Sequence, residues 1–272
     1  MTYRNWFGLA AALATLLALA FLVVPIVAIF TNASPARLVE ALGEESAREA
    51  LWLSLRTSLL AIVIIVLVGT PAAYFLAMRD FRGRAAVLTL IELPLVVPPA
   101  VAGIALLAAF GPRGLAGSLV ADAGVELVFQ TAGVVVALVF VAAPFFLRQA
   151  ISAFAAVDKG QLEASRTLGA SPFRSFMTVA VPVAGPGLSS GVALAWGRAL
   201  GEFGATLMFA GSLQGVTQTA PLAIFAEFSA PDGFVGALAL SAVLIVVSAA
   251  LLISVKLIGG ERPVEERAGR FL

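Results

Sequence analysis

Residues 158–182 read DKGQLEASRTLGASPFRSFMTVAVP and form the longest polar interruption in a very apolar chain. The stretch carries charges of both signs, so it cannot lie across a bilayer. Residues at helical spacing are Leu162, Ser165, Leu168 and Gly169, and Ser171-Pro172 begins a second helical run. We therefore predict two short helices joined at Gly169, which form a compact knob between two membrane spans. A long loop built in this way is usually functional.

The same stretch contains a spaced motif. It consists of Glu163-Ala164-Ser165, three residues, Gly169, nine residues, Val179, one residue and Val181-Pro182. This motif resembles the coupling loop of ABC importer permeases, which reads E-A-A, three residues, G, nine residues, I, one residue, L-P. Serine for the second alanine, and valine for isoleucine and leucine, keep size or polarity close to the motif. An ordinary helical hairpin is the alternative, but it would not require this spacing.

In that family the loop docks into a groove on a separate cytoplasmic ATPase. The resemblance therefore implies an ATPase-coupling set in this chain, which is Glu163, Ala164, Ser165, Gly169, Val179 and Pro182. The physical logic agrees, because Gly169 permits a tight turn and a rigid knob can transmit a rigid-body motion.

Composition indicates an integral membrane protein. Hydrophobic residues make up 61% of the 272 residues and charged residues only 12%, against about 25% in soluble domains. The mean hydropathy is +1.03. The chain has no cysteine and no histidine, which excludes disulfides, thiol chemistry and histidine metal or acid–base sites. A net charge of +1 gives no indication of nucleic-acid binding.

Six segments are long and apolar enough to span a bilayer. The predicted spans are 6–30, 51–78, 88–110, 127–147, 183–210 and 234–258. The first is too long for a signal peptide and no small-residue cleavage site follows it at once, so we interpret it as a transmembrane helix. The predicted fold is all-α, with a first helix and external loop in 1–50, a transmembrane domain in 51–258 and a short charged cytoplasmic tail in 259–272.

The third predicted span contains three prolines, Pro94, Pro98 and Pro99. Proline breaks the backbone hydrogen-bond ladder, and a membrane span tolerates this only where protein or a cavity satisfies the freed groups. Glu92 lies just inside the same span, and we expect it to be an interfacial partner for arginine rather than a proton carrier.

Lysine and arginine placement predicts the orientation. With both termini in the cytoplasm, about twelve basic residues lie inside and about four outside, a clear positive-inside bias. The inside set is Arg4, Arg79, Arg82, Arg84, Arg148, Lys159, Arg166, Arg174, Lys256, Arg262, Arg267 and Arg270, and the outside set is Arg37, Arg48, Arg56 and Arg113. This count places residues 158–182 in the cytoplasm without using the motif.

The fifth predicted span contains an ion pair candidate, Arg198 and Glu202, spaced four residues apart on one helix face. An arginine at the centre of a span costs about 2.5–3.5 kcal/mol on insertion scales, so the pair needs a reason to be there. Either the pair neutralises itself for insertion and packing, or it lies beside the substrate path or the inner gate. Gly197, Gly201 and Gly204 should make one side of this helix thin. The candidate path or gate residues are Arg198, Glu202, Gly201, Gly204 and Thr206.

Two further stretches, RALGEFGATLMFAG at 198–211 and TQTAPLAI at 217–224, resemble the molybdate permease branch of the importer family. So does LWLSLRTSLL at 51–60, followed by Gly69-Thr70-Pro71. Sulfate and thiosulfate permeases share much of the G-E-F-G-A part, and tungstate importers of similar sequence cannot be separated in this way. The resemblance implies a type I importer permease in the cytoplasmic membrane that moves molybdate or tungstate, with sulfate or thiosulfate as the alternative.

The resemblance also implies partners: a second copy of this chain, two copies of a cytoplasmic ATPase and an external oxyanion-binding protein. The chain contains no Walker-type G-x-x-x-x-G-K-[ST] sequence, so ATP and Mg²⁺ should bind the partner ATPase. We expect no covalent chemistry and no cofactor on this chain. Rival classes are an ion-coupled secondary transporter, which would need titratable groups or inverted repeats in the membrane, and a membrane scaffold.

Overall fold

The computed structural model describes residues 3–32, 36, 39–40, 43–231 and 233–258, and over these residues the chain is helical without any strand. The α-helices are α1 Tyr3–Asn32, α2 Glu45–Met78, α3 Arg84–Val96, α4 Pro99–Phe110, α5 Gly117–Asp122, α6 Thr131–Ala155, α7 Lys159–Thr167, α8 Pro172–Ser175, α9 Val181–Leu200, α10 Gly204–Ala210, α11 Ala220–Ser229 and α12 Phe234–Ile258. A π-helical segment, Phe176–Ala180, joins α8 to α9.

The predicted spans correspond to five long apolar helices and one bent pair. Helices α1, α2, α6 and α12 are each long and apolar enough to cross a membrane, as is the continuous stretch Pro172–Leu200. Helices α3 and α4 pass the same test only together, and the chain bends by 117° at the break between them. The all-α membrane architecture is therefore confirmed, with six spans when the bent pair is counted as one.

The third span was predicted as one continuous segment, but it consists of two helices. Helix α3 ends at Val96, Val97 is extended, and Pro98 precedes α4 with Pro99 at its first position. Consecutive prolines remove two backbone donors and force the preceding residue out of the helical region, so the chain turns here. Pro94 lies within α3 and does not end it.

The fifth span, predicted as 183–210, is also broken. Helix α9 ends at Leu200 and α10 begins at Gly204. The residues between them leave the helical conformation, and Phe203 has φ −127°. The buried side chain of Glu202, described below, caps the start of α10 after the break.

Other boundaries differ by a few residues. Helix α2 begins at Glu45 rather than at 51, with an acidic residue in its first turn where the helix dipole favours it. Helix α6 runs over Thr131–Ala155 rather than 127–147, because the backbone before it is extended at Gln130 and has a positive φ at Phe129. Helix α12 has the predicted bounds.

Two predicted loops contain helices. The 111–126 loop includes the short helix α5, and the 211–233 loop includes the apolar helix α11. Helix α11 begins with Pro221 near its first position after Thr219, a start signal present in the sequence. It packs against α12 and α2.

The core lies where α2, α6 and α9 pack together. Phe146 and Phe154 of α6 have no exposed surface and lie in one cluster with small and branched side chains from α2 and α9. At Gly69 of α2, a Cβ would come within 2.9 Å of the Phe146 ring, so the glycine allows α2 and α6 to approach closely. Helix α1 packs along α12 and leaves the rest of its apolar surface exposed.

Several basic residues used for the orientation lie outside the described residues. These are Arg37 and the residues of the predicted tail 259–272, which include Arg262, Arg267 and Arg270. The side chains of Arg4 and Lys256 are likewise not described. The cytoplasmic location of both termini stays a prediction.

Candidate functional site

Residues 158–182 form the predicted pair of short helices, and each helix begins at a side-chain cap. Asp158 Oδ1 accepts a hydrogen bond from Gly160 N at 2.8 Å, and Ser171 Oγ accepts one from Arg174 N at 3.2 Å. These bonds satisfy backbone donors that the first turn of a helix leaves unpaired. Between the helices Gly169 has φ +86°, a left-handed conformation that only glycine adopts without strain.

The inner side of this loop is packed and hydrogen-bonded. Leu162 is buried in the same cluster as Phe154 of α6. Ser165 Oγ lies 2.7 Å from Ser175 Oγ, and Ser175 has no exposed surface. The Phe176 ring contacts Tyr74 of α2 with a centroid distance of 4.8 Å. The base of the loop is thus fixed to both α2 and α6.

The outer side of the loop is exposed and partly apolar. The side chains of Leu168 and Phe173 are 88% and 72% exposed, and Glu163 and Ala164 are also exposed. The tip of this polar loop therefore carries two large apolar side chains that nothing in this chain covers. The six predicted coupling residues divide accordingly: Glu163, Ala164, Gly169 and Pro182 are exposed, whereas Ser165 and Val179 are half-buried.

The Arg198–Glu202 ion pair forms, with Arg198 Nη2 and Glu202 Oε2 2.5 Å apart. The prediction that the two residues share one helix face is wrong, because Glu202 lies beyond the end of α9. Its side chain is 1% exposed, whereas that of Arg198 is 26% exposed. The pair therefore spans the break between α9 and α10.

Glu202 also organises the start of α10. Its Oε1 accepts a hydrogen bond from Ala205 N at 2.8 Å. A carboxylate at this position satisfies an unpaired donor and faces the positive end of the helix dipole. One buried carboxylate thus holds the arginine of α9 with one oxygen and the first turn of α10 with the other.

The three glycines of the predicted thin face do not lie on one continuous helix, because Gly197 is in α9, Gly201 follows its end and Gly204 begins α10. A Cβ at Gly197 would meet no atom within 4 Å, and one at Gly201 would meet only the Gly197 carbonyl at 3.6 Å. At Gly204 a Cβ would come within 2.9 Å of Pro99 Cβ. Only Gly204 therefore permits a close approach, that of α10 to the start of α4.

Helix α10 packs against α4 and α6. Thr206, predicted as a path residue, lies on α10 with no exposed surface, and no hydrogen-bond partner is described for its hydroxyl. A Cβ at Gly103 of α4 would come within 2.6 Å of the Ala205 carbonyl oxygen. The broken helix is thus seated tightly on the bent pair.

Sequence reasoning missed a row of buried hydroxyls on α2. Ser54, Thr57 and Ser58 are buried, and their spacing of three and four residues places them on one helix face. Ser54 Oγ accepts a hydrogen bond from Ala220 N at 2.7 Å, and Ser58 Oγ accepts one from Trp196 Nε1 at 3.0 Å. The row therefore ties α2 to α9 and to the start of α11. The spacing within an apolar span was the signal that could have found it.

An exposed ion pair and an apolar groove are the remaining features near the break and the third span. Glu92 lies 3.8 Å from Arg148 Nε, and both side chains are more than half exposed, as expected of an interfacial pair. A groove of about 350 Å³ beside the break is lined mostly by apolar side chains, among them Phe203 and Phe225, with Ser241 as its polar member. No group of acidic residues suited to a metal ion occurs among the described residues.

Comparison with known proteins identifies the family of this architecture. Residues 69–260 match the model of the binding-protein-dependent transport system inner membrane component. The molybdenum transport system permease protein ModB of Mycobacterium tuberculosis is 42% identical over 236 residues, which cover 86% of this chain and 88% of that protein. The sulfate transport system permease protein CysW of Synechocystis is 34% identical over 220 residues, 80% of each chain.

A solved structure shows the same fold. A chain of a bacterial alginate ABC transporter, crystallised in complex with an alginate pentasaccharide-bound periplasmic protein, superposes with a TM-score of 0.75. The match covers 93% of both chains at 16% identity. At this identity the likeness concerns the fold, which is that of an ABC importer transmembrane domain.

Proposed function

The chain belongs to the family of binding-protein-dependent transport system inner membrane components, and we propose that it is the permease subunit of an ATP-driven importer for molybdate. The observation that carries the proposal is the two-helix loop 158–182, packed on its inner side and exposed on its outer side, in a multi-pass membrane chain. The substrate follows from the molybdenum permease, which is 42% identical to this chain against 34% for the sulfate permease.

The loop is the surface by which an ATPase would drive this chain. Leu168 and Phe173 supply exposed apolar anchors of the kind that fill pockets on a partner. The helix caps and the buried inner side keep the loop in one shape, so a movement of the ATPase would move the attached span α9. ATP and Mg²⁺ would bind that ATPase, because this chain has no Walker-type sequence.

The complete machine would contain two copies of this chain, two ATPase subunits and an external binding protein that delivers the oxyanion. The physics agrees with the need for machinery that couples energy to access. A bare ion cannot cross hydrocarbon, and inward movement of a dianion against an inside-negative potential costs about 2.3 kcal/mol per charge per 100 mV. The permease would shield the path and open it to one side at a time.

The break between α9 and α10 is our candidate for the path or gate, with Arg198, Gly201, Glu202, Gly204 and Thr206 as its residues. Irregular backbone is tolerated within a bilayer only where protein or a polar cavity covers it. The break meets this condition through Glu202. Because the ion pair is neutral overall, it can lie beside a passing anion without trapping it.

The test is uptake of molybdate into vesicles that contain this chain, its ATPase and its binding protein. We expect uptake that requires ATP and resists excess sulfate, with tungstate as a competitor. Inhibition by sulfate would assign the chain to the sulfate branch, which the 34% identical relative makes the second candidate. Uptake that survives ATP depletion but disappears with the proton gradient would assign it to the secondary transporters.

A further inference from the structure

The two helices of the loop are joined by a pair of serine hydroxyls. Ser165 Oγ lies 2.8 Å from the Leu162 carbonyl oxygen and 2.7 Å from Ser175 Oγ. A hydroxyl has one proton, so when Ser165 donates to Leu162, Ser175 must donate to Ser165. Both hydroxyls are then satisfied, although Ser175 has no contact with solvent.

The position of this bond is mechanically significant. It connects α7 to the last residue of α8, next to the π-helical segment that continues into α9. Within the described loop residues 158–182 it is the one side-chain hydrogen bond between the two helices. The covalent route passes through Gly169, which is exposed and has no neighbouring atom where a side chain would begin.

The Ser175 end of the bond is held by aromatic contacts. Phe176, the residue after Ser175, contacts Tyr74 with a centroid distance of 4.8 Å and Phe154 with a distance of 6.1 Å. Tyr74 and Phe154 also contact each other edge to face at 5.4 Å. A displacement of α7 therefore reaches α9 through the serine pair, whereas it reaches α6 through the packing of Leu162 and the short connection 156–158.

We propose that Ser165 and Ser175 form a latch that makes α7 and α8 one rigid body and sets how much transport each hydrolysed ATP drives. The inference rests on the proposed function and goes beyond it, since docking needs only the exposed side of the loop. The importer motif has alanine where this chain has Ser165, so the latch is a feature of this sequence rather than of the motif.

The test measures molybdate uptake and ATP hydrolysis together in vesicles that contain the complete complex. We expect Ser165→Ala and Ser175→Ala each to lower the ratio of ions imported to ATP hydrolysed by about two- to tenfold, the range that loss of one hydrogen bond produces in an equilibrium. Ser165→Thr, which keeps the hydroxyl, should retain the ratio. Thr167→Val is the matched control, because the Thr167 hydroxyl bonds only to the Glu163 carbonyl of its own helix.

The double variant Ser165→Ala/Ser175→Ala separates a latch from ordinary packing. It leaves no hydroxyl unpaired, so the melting temperature of the complex should recover relative to either single variant. The ratio of transport to hydrolysis should stay as low as in the single variants, because the same bond is missing in all three. A ratio that recovers together with the melting temperature would overturn the latch.

The absence of native cysteine allows a second measurement. In Ser165→Cys/Ser175→Cys a disulfide should restore the ratio under oxidation, and reduction should lower it again. Loss of transport on oxidation would mean that the two helices must separate, which contradicts the proposal. Unmodified complex that imports molybdate without ATP would refute the proposed function instead, whereas ATP-driven uptake with an unchanged ratio in Ser165→Ala would refute the latch alone.

Discussion

The loop at 158–182 and the helix break at 197–206 both place charges of either sign in an apolar chain, but they keep them in opposite ways. In the loop, Glu163, Arg166 and Arg174 are exposed, and none of them is in an ion pair among the described residues. In the break, the carboxylate of Glu202 is buried, with one oxygen accepting a hydrogen bond from Ala205 N and the other in an ion pair with Arg198. Water solvates the charges of the loop, whereas only protein groups can solvate the charge of the break.

This difference predicts how each region responds to substitution. Residues of the break should affect the stability of the fold, because a lost partner cannot be replaced by water. Substitutions on the outer side of the loop should leave the fold intact and affect transport, because we propose that these residues contact another protein. The predictions below test this division.

The largest effect is expected for Glu202→Ala. It leaves Arg198 without its partner and Ala205 N without an acceptor, and breaking a buried ion pair costs about 3–5 kcal/mol. We expect little folded protein in the membrane and a much lower melting temperature in detergent. Arg198→Met/Glu202→Gln is the control, because it removes both charges and keeps an acceptor for Ala205 N. A melting temperature of Glu202→Ala equal to that of the wild type would contradict the assignment.

The next effect concerns the loop. Gly169→Trp should reduce ATP-driven uptake at least about tenfold, a change that 1.4 kcal/mol of docking free energy produces, while the amount of protein in the membrane is kept. The matched control is Gly124→Trp, since Gly124 also has a positive φ, +70°, and also has no atom near a Cβ. Equal uptake in the two variants would mean that backbone strain, and not docking, explains the loss.

A smaller effect should follow from Gly103→Ala, where α4 meets α10. The new Cβ would come within 2.6 Å of both the Ala205 carbonyl oxygen and Met208 Cβ, and overpacking of this kind costs about 1–3 kcal/mol. Gly185→Ala is the control, because a Cβ there meets nothing within 4 Å and alanine favours a helix. We expect thermal unfolding to show a lower melting temperature for Gly103→Ala and an unchanged one for Gly185→Ala.

The sequence alone predicted the loop more fully than the break, for a physical reason. The loop depends on local signals: the cap at Asp158, the cap and proline at Ser171-Pro172, and a glycine that accepts positive φ. The bounds of α12 also follow from a local property, its uninterrupted apolar run. Such features need no knowledge of what lies nearby.

The break depends on tertiary contacts instead. Hydropathy cannot distinguish one long span from two helices with a buried carboxylate between them, so 183–210 was predicted as continuous. The prolines predicted a weakened third span but not its angle of 117°, which also depends on how α4 packs against α10. Helix α11 was missed although the sequence contains its start signal at Pro221, and the hydrogen bond that holds its first donor, from Ala220 N to Ser54, joins residues far apart in the sequence.

The smallest effect is expected for Glu92→Gln. This variant tests where charges solvated by water give way to charges solvated by protein. Glu92 lies 3.8 Å from Arg148, at side-chain exposures of 52% and 71%. Exposed ion pairs contribute about 0–1 kcal/mol, so a double-mutant cycle with Arg148→Gln should give a coupling energy within that range. A coupling energy above about 2 kcal/mol would be typical of buried charge rather than exposed charge. It would mean that lipid excludes water from this pair, and that the division between water-solvated and protein-solvated charges lies further from the membrane centre than the exposed fractions indicate.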